Sequence, residues 1–225
     1  MCYILLINQV KIRRNMIQSL LQFDRHLFFM INGFHHPVAD LFFRIITQLG
    51  NGWFVGPLLT VIVWRNVPHR YFGRVFVVSV IGLSLCGIFN SQLKRVVKRP
   101  RPFKYFAMRK TDSPDSASTG GLPKPYDNVV RVLGPKYRNR SFPSGHTNTA
   151  FSAAAFLVIL FGRVYLFAFI PALLVGYSRI YLGVHFPFDV IAGAILGSVM
   201  IWGYFLLAAR LVKKVIPRKY NRHDT

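Results

Sequence analysis

The chain contains no glutamate. All 7 of its acidic residues are aspartates, set against 29 lysines and arginines, for a formal net charge of +22. Acids this few and this scattered do not suggest a carboxylate-rich site for a hard divalent cation. Cysteine is nearly absent too. Only Cys2 and Cys86 are present, and Cys86 lies inside an apolar run, so neither a disulfide framework nor a metal–thiolate cluster is expected. Also missing is the interspersed charge of a soluble basic protein. Instead, 52% of residues are hydrophobic and 15% aromatic, and the basic residues fall in blocks between uncharged runs, the pattern of a helical membrane protein. A basic excess suits either nucleic acid or an anionic lipid surface, and the apolar runs favour lipid over nucleic acid. With 225 residues there is room for one domain.

A membrane-crossing helix needs about 20 mostly apolar residues. Five stretches approach this: 45–64, 75–93, 141–162, 164–178 and 190–209, with Arg44, Arg65, Arg74, Lys94, Arg140, Arg163, Arg179, Asp189 and Arg210 at their borders. The fourth is short, so its helix is expected to run past Arg179, with a kink at Pro171. Gly193 and Gly197 in the fifth form a small-xxx-small pair that lets helices approach closely. The predicted fold class is all-α, a polytopic helical membrane protein with five to six transmembrane helices and an N-terminal interfacial amphipathic region.

That N-terminal region is 1–44. Residues 1–10 are apolar but too short to span, and no basic segment precedes them as in a secretory signal. Residues 15–34 and 37–48 read as interfacial amphipathic helices. A poorly formed sixth span is the alternative, and Met16 is an alternative start that would leave 1–15 without structural meaning. The transmembrane core is 45–213, interrupted by a polar connection at 103–140 that reads equally as a lid, a headgroup contact or a surface excursion. A basic tail, 214–225, closes the chain. With five crossings, the ends near Lys94–Arg101, Ser141–His146 and Arg179–Asp189 share one face. The opposite face holds Arg163 and the terminal stretch Arg210–Arg222 with six Lys or Arg, which positive-inside reasoning places in the cytoplasm. The first face then looks outward, to the periplasm or the outside of a plasma membrane.

The chemistry-bearing residues sit on that first face. His185 and Asp189 are four apart, one turn on a helix. A carboxylate beside an imidazole fixes its tautomer and stabilises its positive form, leaving the other nitrogen to attack. The pair reads otherwise as a capping Asp near an interfacial His. Pro143-Ser144-Gly145-His146 opens a helix, where exposed N–H groups bind anions and Gly145 permits close approach, with His146 placed as a general acid. An ordinary capped helix would look the same. Lys94 and Arg101 belong to a basic cluster with Arg95, Lys98 and Arg99 that also suits a plain juxtamembrane flank. Arg179, embedded between apolar runs, is costly unless it serves a function. Two imidazoles, one carboxylate and three cations make an inventory for phosphoryl transfer.

Taken in order, these residues resemble the signature of the type 2 phosphatidic acid phosphatase superfamily. That signature is Lys, six residues, Arg-Pro; then Pro-Ser-Gly-His; then Ser-Arg, five residues, His, three residues, Asp. Lys94 to Arg101-Pro102, Pro143 to His146, and Ser178-Arg179 to His185 and Asp189 match it in type and spacing. The resemblance covers roughly residues 40–210. It implies His185 as nucleophile, Asp189 as its orienting partner and His146 as acid. Lys94, Arg101, Ser144, Gly145 and Arg179 are the implied phosphate ligands, in a six-helix core with no cofactor and no metal. The implied activity is hydrolysis of a phospholipid or polyprenyl phosphate through phosphohistidine. Undecaprenyl diphosphate, lipid A phosphate and phosphatidylglycerol phosphate are the candidate substrates. Transfer to a lipid hydroxyl, haloperoxidase chemistry and non-catalytic lipid-phosphate binding are the alternatives.

Overall fold

Residues 2–111, 130–134 and 140–215 are described by a computed structural model, and among them the backbone forms helices and turns but no strand. The tail beyond Val215 and the loop segments Ser113–Ser116, Ser118–Gly121 and Pro123–Pro125 lie outside the described residues.

The N-terminal stretch forms one helix, α1 (Cys2–Asn32), which merges the apolar opening residues with the expected amphipathic segment. Around Lys11 to Leu20 it is exposed on every side. Toward its end Asp24, Phe28 and Asn32, spaced four apart, form a buried stripe that docks on the rest of the protein. Next comes α2 (Pro37–Ile46), begun by a proline at its first position and by the His36 ring, which accepts from the Val38 N–H. Asp40 in its first turn and Arg44 in its last complement the helix dipole.

The expected span over 45–64 is broken. A 3-10 turn (Thr47–Gly50) separates α2 from α3 (Gly52–Asn66), the two helices meeting at 65°. Gly50-Asn51-Gly52 supplies the break, and the Asn51 side chain caps α3 by accepting from the Trp53 N–H at 3.2 Å. Then α4 (His69–Val97) runs unbroken and stops at Lys98, whose φ of 56° is left-handed. The polar connection opens as a helix, α5 (Pro102–Thr111). After it come α6 (Gly145–Phe161), a 3-10 turn (Arg163–Ala168), α7 (Phe169–Tyr181) and α8 (Pro187–Val215). Pro171 does not kink a span. It stands in the first turn of α7, where its missing N–H removes no helical bond.

Small residues put α6 at the centre. Ser152, Ala153, Ala154 and Ala155 are all buried along it. Against it lie Gly193 and Gly197 of α8. A Cβ on Gly193 would stand 2.6 Å from the Ser144 carbonyl oxygen, and one on Gly197 2.4 Å from that of Asn148. The two backbones therefore touch along a glycine seam, as expected of small-xxx-small packing. The Ser152 hydroxyl donates across it to the Gly197 carbonyl at 3.2 Å.

Among the described residues, three helical stretches are long and apolar enough to cross a membrane, Arg163–Tyr181, Pro187–Leu207 and the one beginning at His69. The bent α2–α3 pair would make a fourth, and α6 is a shorter apolar helix. Ile81, Leu85, Ile88, Ile195, Val199 and Trp202 point outward, as lipid-facing side chains do. This is an integral membrane protein of helical class.

The seam gives a matched test. Gly197→Ala should destabilise by roughly 1–3 kcal/mol through overpacking against backbone. Gly203→Ala, on the same helix with nothing within 4 Å, should be neutral or stabilising by up to about 1 kcal/mol. Thermal unfolding in detergent distinguishes the two.

Candidate active site

The loop after α7 is shaped by its hydrogen bonds. The Val184 and His185 N–H groups both donate to the Arg179 carbonyl at 3.2 Å. Gly183 turns the chain at φ 73°, where a Cβ would lie 2.4 Å from the Arg131 carbonyl oxygen. His185 is thereby set just outside α8, which begins at Pro187, so His185 and Asp189 are not one turn apart on a single helix. A residue before proline is driven from helical backbone, which explains why the helix starts so late. Asp189, in the first turn, is fully buried, and its Oδ2 accepts from the Phe186 N–H at 2.9 Å.

His185 Nδ1 is 3.6 Å from Asp189 Oδ2, too far for a good hydrogen bond. Ser141 bridges the gap. Its Oγ lies 3.3 Å from Nδ1 and donates to Asp189 Oδ2. With Nδ1 as donor, Nε2 carries the lone pair, and Arg101 Nη1 stands 3.3 Å from it. Arg101 also donates to the Val184 carbonyl at 2.9 Å. The His185 ring is held well below its ordinary pKa. Burial is the largest cause and the Arg101 and Arg179 charges add to it, while the nearby Asp189 carboxylate opposes. The ring is neutral at pH 7.

The second motif is fastened to both others. The Ser141 N–H donates to the Arg99 carbonyl and the Ser144 N–H to the Asp189 carbonyl, each at 2.8 Å. Lys94 Nζ donates to three carbonyls, those of Arg140 and Ser141 at 3.3 Å and that of Pro143. Its ammonium thus holds the turn that opens α6. Ser144 is the N-cap and is fully buried, its Oγ accepting from the Thr147 hydroxyl at 2.8 Å. Gly145 and His146 follow at the head of α6, where N–H groups lack partners within the helix. His146 packs against the Thr47–Gly50 turn, its Cβ lying 2.8 Å from where a Cβ on Gly50 would be. From the same turn the Thr47 hydroxyl accepts from Arg179 Nη1 at 2.7 Å. The charges of Arg179, Arg101 and Lys94 all act on His146, and those of Arg101 and Arg179 on His185. The structure thus brings all eight expected site residues to one end of the helix bundle.

Three participants were missed in the sequence. Ser141 lies in the stretch that opens α6, Arg99 in the basic cluster after Lys94 and Asp24 within the amphipathic stretch 15–34. Arg99 Nη1 pairs with Asp189 Oδ1 at 2.7 Å and its Nη2 with Asp24 Oδ2, and its Cζ lies 4.3 Å over the Phe186 ring. A usable signal existed for Asp24, a carboxylate among Leu, Phe and Met of the kind that usually stays buried only when paired. Among the described residues, no three His, Cys or Asp side chains gather as metal ligands.

Comparison with known proteins finds a match to the PAP2 superfamily over residues 75–213. The chain is 28% identical over 211 residues to lipid A 4'-phosphatase of Bacteroides thetaiotaomicron, covering 89% of this chain and 83% of that protein. It is 41% identical over 134 residues to undecaprenyl-diphosphatase of Sulfolobus acidocaldarius, covering 59% and 53% respectively. The crystal structure of Aquifex aeolicus LpxE superposes with a TM-score of 0.60 at 29% identity, covering 80% of this chain and 93% of that one.

The neutral ring has a measurable consequence. Below about pH 6.5 the unfolded chain takes up a proton at residue 185 that the folded chain refuses. Stability therefore falls with pH there, by up to about 1.4 kcal/mol per unit from this group. His185→Asn removes that share, so melting temperatures of wild type and variant in detergent should converge between pH 7 and 5. Parallel curves would show a ring that protonates normally.

Proposed function

The chain belongs to the PAP2 superfamily, and from that premise we propose that it is a lipid phosphatase working through phosphohistidine, with no metal. The observation that carries the reading is the setting of His185, with Nδ1 turned to Ser141 and Asp189, and Nε2 facing Arg101.

Each residue then has a task. Lys94, Arg101 and Arg179 neutralise the phosphate oxygens, joined by the Ser144 hydroxyl and the N–H groups that open α6 at Gly145. His185 Nε2 attacks phosphorus in line. The P–N bond forms as the bond to the lipid-side oxygen breaks, and His146 delivers its proton to that oxygen. Asp189, through Ser141, stabilises the positive ring. Water then attacks the phosphohistidine, His146 takes the water's proton, the P–N bond breaks and inorganic phosphate leaves. Transfer to a lipid hydroxyl would differ only in the second acceptor, and free phosphate as product separates the two.

For substrate we favour lipid A phosphate or undecaprenyl diphosphate over phosphatidylglycerol phosphate, in keeping with the names of the relatives. A cavity of 680 Å³ lined by Arg44, Ile45, Leu49, Trp53 and Phe54 adjoins the turn that carries Thr47, suiting a hydrocarbon chain beside the phosphate site. We place the protein in the plasma membrane with five to six crossings, counting a bent α2–α3 span, and with α1 at the interface. The basic tail would be cytoplasmic and the site would face the periplasm or the outside.

Purified protein should release phosphate from one or more of a panel of lipid A, undecaprenyl diphosphate, phosphatidylglycerol phosphate and phosphatidic acid. His185→Ala should abolish release while leaving the protein folded, and full residual activity would refute the nucleophile. Ser141→Ala, which removes one charge-assisted hydrogen bond, should lower kcat by about 10- to 100-fold.

A further inference from the structure

Of the three aspartates among the described residues, Asp189 lies beside His185, and Asp40 accepts from Tyr181, Arg131 and His35. Asp24 remains. It is fully buried, and it reaches the site from α1, outside the stretch matched by the superfamily. Its Oδ1 accepts from the Phe188 N–H at 2.8 Å, capping α8 from another helix, and its Oδ2 binds Arg99. One turn on, the Phe28 ring packs 5.4 Å from that of Phe186. The end of α1 therefore grips Phe186 and Phe188 on either side of Pro187, beginning with the residue directly after His185.

We propose that Asp24 is a positioning residue for phosphoryl transfer, sharing Arg99 with Asp189 and fixing the first turn of α8. This rests on the phosphatase reading. Arg99 lies between two carboxylates, with Nη1 on Asp189 Oδ1 and Nη2 on Asp24 Oδ2. Paired with Asp189 alone, the guanidinium would cancel the charge that the imidazolium needs as the P–N bond forms. With Asp24 included the three groups carry a net negative charge. The same bracket turns Oδ1 of Asp189 to Arg99 and leaves Oδ2 to Ser141 and His185. Asp24 touches no reacting atom and acts through Arg99 and Asp189.

The test compares two anions on purified protein in detergent. Orthovanadate accepts a fifth ligand and takes His185 Nε2 as that ligand, whereas inorganic phosphate needs only the cations. Asp24→Asn keeps shape and hydrogen-bonding oxygen but removes the charge. It should weaken vanadate binding by about 10-fold or more and leave phosphate binding within about two-fold. In turnover, kcat should fall while KM holds. Unchanged vanadate affinity, or loss of both anions in proportion, overturns the proposal, the second outcome showing a merely structural role. Should Asp24→Asn fail to fold, Asp24→Ser, which keeps an acceptor for the Phe188 N–H, is read by the same criteria. Wild-type protein that binds vanadate yet releases no phosphate from any lipid refutes the phosphatase reading alone, while failure to bind vanadate refutes both.

Discussion

The glycine seam between α6 and α8 sets the distances on which everything else depends. Only bare backbone at Gly193 and Gly197 lets α8 lie against the carbonyls of Ser144 and Asn148. That contact fixes α6 lengthwise on α8, and at the top of the seam the Ser144 N–H meets the Asp189 carbonyl. The turn that opens α6 and the loop that carries His185, about 40 residues apart in sequence, are thereby held in register by main-chain atoms. Backbone contact is stiffer than contact between long side chains, and the reaction proposed for this cluster would tolerate little slack.

Charge is divided between two kinds of support. Lys94 rests on three carbonyl oxygens, neutral acceptors that leave its positive charge in place. Arg99 is bracketed by two carboxylates. The first arrangement keeps positive potential where an anion would arrive, and the second spends it on internal order. Buried charge of either type is stable only when its hydrogen-bonding sites are filled, and the chain fills them with the loops and helix ends that must converge.

The three motifs could be picked out from spacing and their roles only through the family resemblance, and each motif is local. Lys94 to Arg101, Pro143 to His146 and Arg179 to Asp189 each stand at a helix end in the structure, as their apolar neighbours indicated. What spacing could not show was contact across the fold. Ser141 reads as a turn residue until His185 is set beside it, and Asp24 reads as a surface charge until Arg99 and Phe188 are brought to it. The helix pattern was legible where runs were uniform, as in α4 and α8. It misled where glycine and proline chemistry intervened. Gly50-Asn51-Gly52 broke an expected span, Pro171 opened a helix in place of bending one, and Pro187 left His185 outside the helix that carries Asp189.

The turn at Thr47–Gly50 has two sides. Inward, it touches Arg179 and His146. Outward, Ile45, Trp53 and Phe54 flank the adjoining cavity without contributing to the cradle around the histidines. Selection acting on the outer side chains can therefore remodel the apolar surface while the groups around His146 and His185 keep their arrangement. Such a partition lets descendants of one ancestor diverge along their apolar flank and still inherit the same polar cluster.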